Sequence, residues 1–369
     1  VVGQSYKIRA MRAGEKEIIK LIMKDAFPFL MRLFFSFSNN ILVAERNGEI
    51  VGGVILKVFL LPKSIKAGLV SLIFCSPRYS GQGIGQLLAD EGVKCLEKEG
   101  CSDIFACVEG DNTGSSKLFV TSGFNRLSLL QQIKAYGFGC LPIWFHSYHF
   151  FDIGHFMWSK SSRTAQVSNT DKSNMLFELL FIIVAHVTIF SIALWRQEIE
   201  DYSSVESILT LLVCFSAFYE TRYSAMLCVA WANNIKYELR MWESGLSLSF
   251  CIALLFGGGM VSPGSLYPRG NNWKYHEHLQ HLGVMALVSS ACLIGAVWTI
   301  GGLIKFNLLP SMYLSSFETA FSIGVGLLIL DVVLPFFPFS SFSGKRLWDW
   351  NKYIWGILSL SIVPFFIVF

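Results

Sequence analysis

The stretch "SPRYSGQGIGQLLADEG", Ser76 to Gly92, reads as a strand end, a glycine-rich turn and the start of a helix. In such a turn the N–H groups that open the helix have no partner further back. The helix dipole adds positive potential, so a pyrophosphate can sit there. Gly83 and Gly85 let the backbone approach phosphates with no Cβ in the way. A plain tight turn explains the same residues, and the motif alone leaves both readings open.

The flanking sequence supplies a context. "ILVAERNGEIVGGVILKVFLL" (Ile41 to Leu61) is two β-rich runs about Asn47-Gly48, the signal of a hairpin. "AGLVSLIFCSP" and "DIFACVEG" are further buried strands, and "IGQLLADEGVKCLEKEG" between them has the spacing of an amphipathic helix. Residues 1–160 therefore read as one α/β domain. Residues 161–174 read as a linker, within the Ser/Thr/Asn-rich run "SKSSRTAQVSNTDKSN" (Ser159 to Asn174).

Residues 175–369 have a different composition. Apolar runs lie at about 175–195, 205–232, 282–304, 314–334 and 353–369, each near the roughly 20 residues that span a bilayer. A sixth run, 245–262, contains "GGGM" and is a span, a re-entrant loop or a membrane-associated hairpin. The expected architecture is an α/β domain followed by a multi-pass α-helical membrane domain of about five or six spans. Composition agrees: 53% of the 369 residues are hydrophobic and 15% charged, against about 25% charged in soluble domains. The net charge of +4 is too small to argue for nucleic acid. Nine cysteines without a C-x-x-C pair read as reduced core residues. No signal-peptide pattern opens the sequence. "NNIKYELRMW" and "GKRLWDWNK" are basic and "RQEIEDYSS" is net acidic, which puts residues 1–160 in the cytoplasm under the positive-inside rule.

The order from "IFCSP" through "GQGIGQLL" to "DIFACVEGDNTGSSKLFVTSGF" resembles the GNAT family of N-acetyltransferases over about residues 5–160. Gln82-Gly83-Ile84-Gly85, Asp111-Asn112 and Gly123-Phe124 match its motifs in order and separation. The resemblance implies acetyl-CoA as cofactor, with Cys75, Gln82, Gly83, Ile84, Gly85, Asn112 and Phe119 lining it. Glu109 and Asp111, at the end of the second strand, are candidates for the general base or are solvated or capping residues. Two residues depart from the pattern. Ser80 stands where the family's turn opens on Arg or Gln. Phe119 stands where many members carry a Tyr that protonates the leaving thiolate, and phenylalanine has no proton to give.

In the membrane half, "LLVCFSAFYETRYSAMLCVAWA" (Leu211 to Ala232) places Glu220 and Arg222 inside an apolar run. A charge at mid-bilayer costs at least a few kcal/mol, so such residues face protein or a cavity. "YETRY" has the shape of H-E-x-x-H with tyrosine for both histidines. The segments after it, "FGGGMVSPGSLYPRGN" and "LPFFPFSSFSGKRLWDWNKYIW", resemble the site-2 proteases over about residues 200–360. The resemblance places Tyr219, Tyr223 and Ser343 at the three zinc-ligand positions. Neutral hydroxyls are poor zinc ligands, so it implies no zinc. Glu220 is then the relic of a general base, hydrogen-bonded in a cavity to Arg222 or the tyrosine hydroxyls, or else a carboxylate with no such history that faces a water-filled vestibule.

Other features stay secondary. His276, His278 and His281 are a metal cluster or a solvated turn. The aromatic run Phe138 to Phe151 rests against lipid headgroups or packs inside the soluble domain. Glu178 and Glu318 lie near span ends and carry no role. The function expected is a membrane-anchored acetyl-CoA-dependent N-acyltransferase with a proteolytically inactive membrane domain. Its partners are the lipid bilayer and either a membrane protein or a protein or peptide amine acceptor. The alternative is a non-catalytic subunit or regulator that holds a transmembrane partner.

Overall fold

The computed structural model describes residues 6–27, 29–32, 40–163, 174–198, 204–270 and 273–368. The chain forms two compact units. The first comprises Val1–Val108, Asn112–His149 and His155–Asp171; the second comprises Glu109–Asp111, Phe150–Gly154 and Lys172–Phe369. Two short pieces of the numerically first half thus belong to the second unit. Most of the expected linker, residues 164–173, lies outside the described residues.

The first unit is built on a seven-stranded sheet in the order β1-β2-β3-β4-β5-β7-β6. Its strands are β1 (Lys7–Ala10), β2 (Asn40–Arg46), β3 (Glu49–Leu61), β4 (Ile65–Cys75), β5 (Asp103–Glu109), β6 (Asn125–Leu127) and β7 (His155–Ser161). β2 and β3 form the expected hairpin: Asn47 (φ 52°) and Gly48 (φ 85°) adopt the left-handed pair that a two-residue turn needs.

Alternation along the strands feeds two faces. On one face Val54, Leu56, Val70, Ile104 and Ala106 meet helix α2 (Ile84–Lys98) through Ile84, Leu88, Val93 and Leu96. On the other, Ile41, Val43, Ile55 and Phe74 pack on Ile19 and Met23 of α1 (Lys16–Ala26). On that side too, Leu69, Phe105 and Met157 pack with Ile143. Odd and even residues of one strand thus enter different cores, as a period of two requires. Each fully buried Leu, Ile or Phe contributes about 1.5–3 kcal/mol by leaving water.

The rest of the unit consists of α3 (Thr113–Thr121), α4 (Leu129–Tyr136) and α5 (Cys140–Ser147). α4 opens on a capping box in which Ser128 and Gln131 satisfy each other's backbone N–H.

The second unit is helical: α6 (Met175–Arg196), α7 (Val205–Ala232), α8 (Glu243–Phe256), α9 (Tyr275–Lys305), α10 (Ser311–Leu328), α11 (Ser343–Trp350) and α12 (Lys352–Ile362). Asn174 caps α6 and Ser204 caps α7 by accepting first-turn N–H groups. Among the described residues, three helical stretches are long and apolar enough to cross a membrane: Met175–Arg196, Tyr275–Lys305 and Ser311–Val333, where a π turn extends α10. α7 has 28 residues but carries Glu206, Glu220 and Arg222. α8, the sixth apolar run, has only 14 residues and then gives way to an extended segment ending in β9 (Ser265–Pro268). β9 pairs antiparallel with β8 (Tyr237–Arg240).

Glu178, expected to be idle at a span end, is 7% exposed and accepts the Met241 N–H at 3.1 Å.

Neighbouring leucines on α2 test this packing. Leu88 is fully buried and Leu87 exposed. Leu88→Ala is expected to destabilise the protein by about 2–5 kcal/mol, and Leu87→Ala by less than about 0.5 kcal/mol, in denaturant unfolding of the detergent-solubilised chain.

Candidate functional site

Strand β4 pairs with β5 only from Ala67↔Asp103 to Val70↔Ala106. On its other edge the β3 register slips, from Leu56↔Val70 to Ile55↔Leu72, so Ser71 bulges. A bulge bends its strand and raises the local twist. The bulge falls directly after the last β4–β5 pair, and beyond it the two parallel strands part. β4 from Ser71 to Cys75 stays bonded to β3 while its other edge loses its ladder partner. That edge carries backbone donors and acceptors that require partners. Burial pushes the Cys75 thiol above its ordinary pKa, so it stays protonated there.

The glycine turn stands at the end of β4. Gly83 is the N-cap of α2 with φ 82°, a left-handed conformation that a β-carbon opposes, and it faces open space. No side chain caps the helix, so the N–H groups of Ile84, Gly85 and Gln86 remain the orphan donors of its first turn. Gln82 is exposed and its side-chain oxygen accepts the Tyr6 hydroxyl at 2.5 Å.

The expectation for the two glycines splits. A Cβ on Gly85 would meet Leu118 Cδ1 at 3.2 Å, so Gly85 serves the close approach of α2 and α3. Asn112 caps α3, its Oδ1 accepting the Ser115 N–H at 3.0 Å. Phe119 lies in the core, 5% exposed, edge-on to Phe124 at 5.1 Å between centroids. One pair in this unit went unread in the sequence. Cys107, the first β5 residue past the last ladder pair, has its Sγ 3.2 Å from Nδ1 of the fully buried His149. The signal available was only a histidine in an aromatic run.

The two candidate bases belong to the second unit. Glu109 Oε1 accepts the Ser340 hydroxyl at 2.7 Å. Asp111 is held in a fork by Arg346, with Nε and Nη2 each donating at 2.9 Å. Arg346 is 1% exposed and also donates to Ser265 Oγ at 2.9 Å and to the Leu266 carbonyl at 3.0 Å.

Tyr219, Tyr223 and Ser343, expected at the positions of zinc ligands, are all buried, and Arg222 is buried among the same segments. Arg222 donates from Nε and Nη2 to Asp331 at 3.1 and 3.0 Å, from Nη1 to the Gly264 carbonyl at 3.1 Å, and from Nη2 to Ser343 Oγ at 3.3 Å. Ser343 N–H in turn donates to Asp331 Oδ1 at 3.2 Å. Tyr223 hydroxyl donates to the Pro263 carbonyl. Glu220 departs from expectation. It is exposed, one residue and so about 100° round the helix from Tyr219. The carboxylate that answers Arg222 is Asp331, a lone acid in the apolar run "LLILDVVLPFF". The signal that marks Arg222 in the sequence, a charge inside an apolar stretch, marks Asp331 equally.

This donor set does not fit zinc. The tyrosine hydroxyls and serine are neutral, and a permanent cation sits among them. A dication about 4 Å from a guanidinium would be repelled by about 8 kcal/mol at an effective dielectric constant of about 20. The histidines expected as an alternative cluster do not converge. His276 is exposed, and His278 Nδ1 is 3.2 Å from the Lys274 carbonyl. Among the described residues no three His, Cys, Asp or Glu side chains group as a metal site.

Removing one partner of a buried ion pair strands the other charge, at about 3–5 kcal/mol. Arg222→Met and Asp331→Leu should each lower stability by that amount in detergent. The Arg222→Met/Asp331→Leu double variant should lose less than the sum, and a thermal double-mutant cycle measures the difference.

The acetyltransferase (GNAT) family model matches residues 16–124. A mycothiol acetyltransferase of Renibacterium salmoninarum is 30% identical over 105 residues, 28% of this chain and 31% of that protein. A predicted zinc metalloprotease of Methanocaldococcus jannaschii is 26% identical over 133 residues, 35% of this chain and 63% of that protein. The chain thus spans less than two thirds of the length of either relative. Among solved structures, the ribosomal-protein-S18-alanine N-acetyltransferase of Escherichia coli aligns with a TM-score of 0.32 at 17% identity, covering 42% of this chain and 92% of that one. A GNAT-family acetyltransferase domain thus lies within the first half of the chain, over residues 16–124.

Proposed function

We propose that the chain is a membrane-anchored, acetyl-CoA-dependent N-acyltransferase whose second half is a protease-like membrane domain without proteolytic activity. One observation carries the reading: β4 parts from β5 at the Ser71 bulge, and the uncapped start of α2 follows β4. Convergent N–H donors at the positive end of a helix suit a pyrophosphate. An unladdered strand edge suits the amide groups of a pantetheine arm.

When bound, acetyl-CoA supplies an acyl group activated as a thioester. The chain's own part is to hold and orient it. The amides of Ile84, Gly85 and Gln86 take the phosphate charge, and the free edge of β4 fixes the direction of the arm. Cys75, kept as a thiol, does not compete as a nucleophile, because only the thiolate attacks. The acceptor in this reading is an amine on a protein or peptide at the membrane, with residues 1–160 cytoplasmic. The membrane domain crosses the bilayer five or six times and binds no zinc.

A second reading, a cofactor-binding regulator without transfer, is favoured by specific contacts. Phe119 offers no acid, and the carboxylates of Glu109 and Asp111 are engaged by Ser340 and Arg346. The second unit also has a cavity of about 820 Å³ with Ser207, Thr210, Ser316, Thr319 and Glu318 in its lining, a size suited to a bound partner segment or ligand.

Calorimetric titration of the purified chain with CoA separates these readings. Gly83→Val is expected to weaken CoA at least tenfold, about 1.4 kcal/mol. Gly48→Val, at another open left-handed glycine, should match its loss of stability with CoA affinity unchanged. Acetyl transfer to an added amine supports the enzyme, and CoA binding without transfer supports the regulator. No binding at millimolar CoA ends both.

For the metal, elemental analysis should find far less than one zinc per chain. Tyr219→His/Tyr223→His/Ser343→Asp should gain zinc only when Arg222→Met is added. Stoichiometric zinc resistant to mild chelation in the unaltered protein would overturn the inactive-protease reading.

A further inference from the structure

The aromatic run of the first unit is divided by its fold. α5 buries Cys140, Ile143 and Ser147, and Ile143 packs with Phe59, Phe105 and Met157. Trp144 Nε1 donates to Gln132 Oε1 at 2.7 Å. The same segment leaves Phe138 88%, Phe145 72% and Leu141 55% exposed. These are the water-facing positions of a helix whose inner face is already packed.

The corner between β3 and β4 shares this surface. Phe59 stacks on the His146 ring with centroids 4.4 Å apart. Pro62 lies against Gly139, and Lys57 Nζ donates to the His146 carbonyl at 3.2 Å. Contiguous exposed apolar surface of this kind marks an interaction site.

Charge selects the occupant. Residues 56–66 and 127–151, which build the patch, contain no Asp or Glu, but carry Lys57, Lys63, Lys66 and Lys134. Lys63 and Lys134 are exposed beside the apolar side chains. Exposed rings and leucines ringed by lysines, without a carboxylate, complement a layer of phosphate headgroups over acyl chains. The position in the chain agrees. α6, long and apolar enough to cross a membrane, begins at Met175, fourteen positions after Ser161 ends β7. Even fully extended, that interval reaches at most about 50 Å, so the unit is held close to any bilayer that α6 enters.

We infer that the face formed by Phe138, Leu141 and Phe145, with Lys63 and Lys134 at its edge, is a lipid-contact surface that inserts into the headgroup region of an anionic membrane. The inference rests on α6 being in the bilayer and is independent of acetyl transfer.

The test uses the full chain in vesicles of equimolar phosphatidylcholine and phosphatidylglycerol. Benzoylphenylalanine is placed singly at Phe138, Phe145, Lys98 on α2 or Val184 on α6, and the photoproducts are read by mass spectrometry. Lipid adducts are expected at 138, 145 and 184 and not at 98. Lys63→Glu/Lys134→Glu should cut the adducts at 138 and 145 severalfold and leave those at 184 unchanged. Adducts at 184 with none at 138 and 145, or protein–protein adducts there instead, would overturn the inference with the membrane reading intact. No lipid adduct at 184 would overturn the membrane reading, and this inference with it.

Discussion

A guanidinium with no exposed surface must find both a counter-charge and hydrogen-bond acceptors, and Arg222 finds them in three separate segments. Asp331 supplies the charge in a two-point contact, the Gly264 carbonyl takes a third donor, and Ser343 lies within reach of a fourth. Helix α7, the extended segment before β9, the π turn after α10 and the start of α11 are thereby tied to one planar group. A side chain without a fixed fork could not satisfy them together. Such a tie is stable only while every member is satisfied, because the low dielectric that strengthens it also penalises a missing partner.

The same arrangement accounts for the tyrosines. Tyr219 and Tyr223 lie one helical turn apart on the buried face of α7, where two imidazoles of a metal site would sit. Between them comes Arg222, a cation that belongs to the protein. The chemistry at the centre is that of an internal ion pair. Glu220, pointing outward, takes no part in it.

In the first unit the governing constraint is that β4 cannot satisfy two ladders along its whole length. It keeps β3 and, at the Ser71 bulge, gives up β5. The loss leaves backbone groups unladdered on the strand that leads to the uncapped start of α2. Around this opening, side chains that share a motif serve different ends. Gly83 adopts the turn, Gly85 admits Leu118, Asn112 caps a helix and Phe119 fills the core. A motif records residue types at set spacings, and those types suit packing and capping as well as binding.

From the sequence alone the α/β and helical halves, the hairpin at Asn47-Gly48, the helix at Ile84 and the family of the first half were legible. Each depends on local periodicity, turn chemistry or a linear motif, which neighbouring residues carry among themselves. Only the tertiary structure decided that Glu220 faces outward, that Asp331 answers Arg222 across 109 positions, and that Glu109 and Asp111 bond to Ser340 and Arg346. It also decided where β4 leaves β5, since a bulge is defined by the register of two strands. Which carboxylate neutralises which cation depends on proximity in space, and a buried charge accepts whichever partner the packing delivers. The sequence states that a charge lies in an apolar run; only the fold selects its counter-charge.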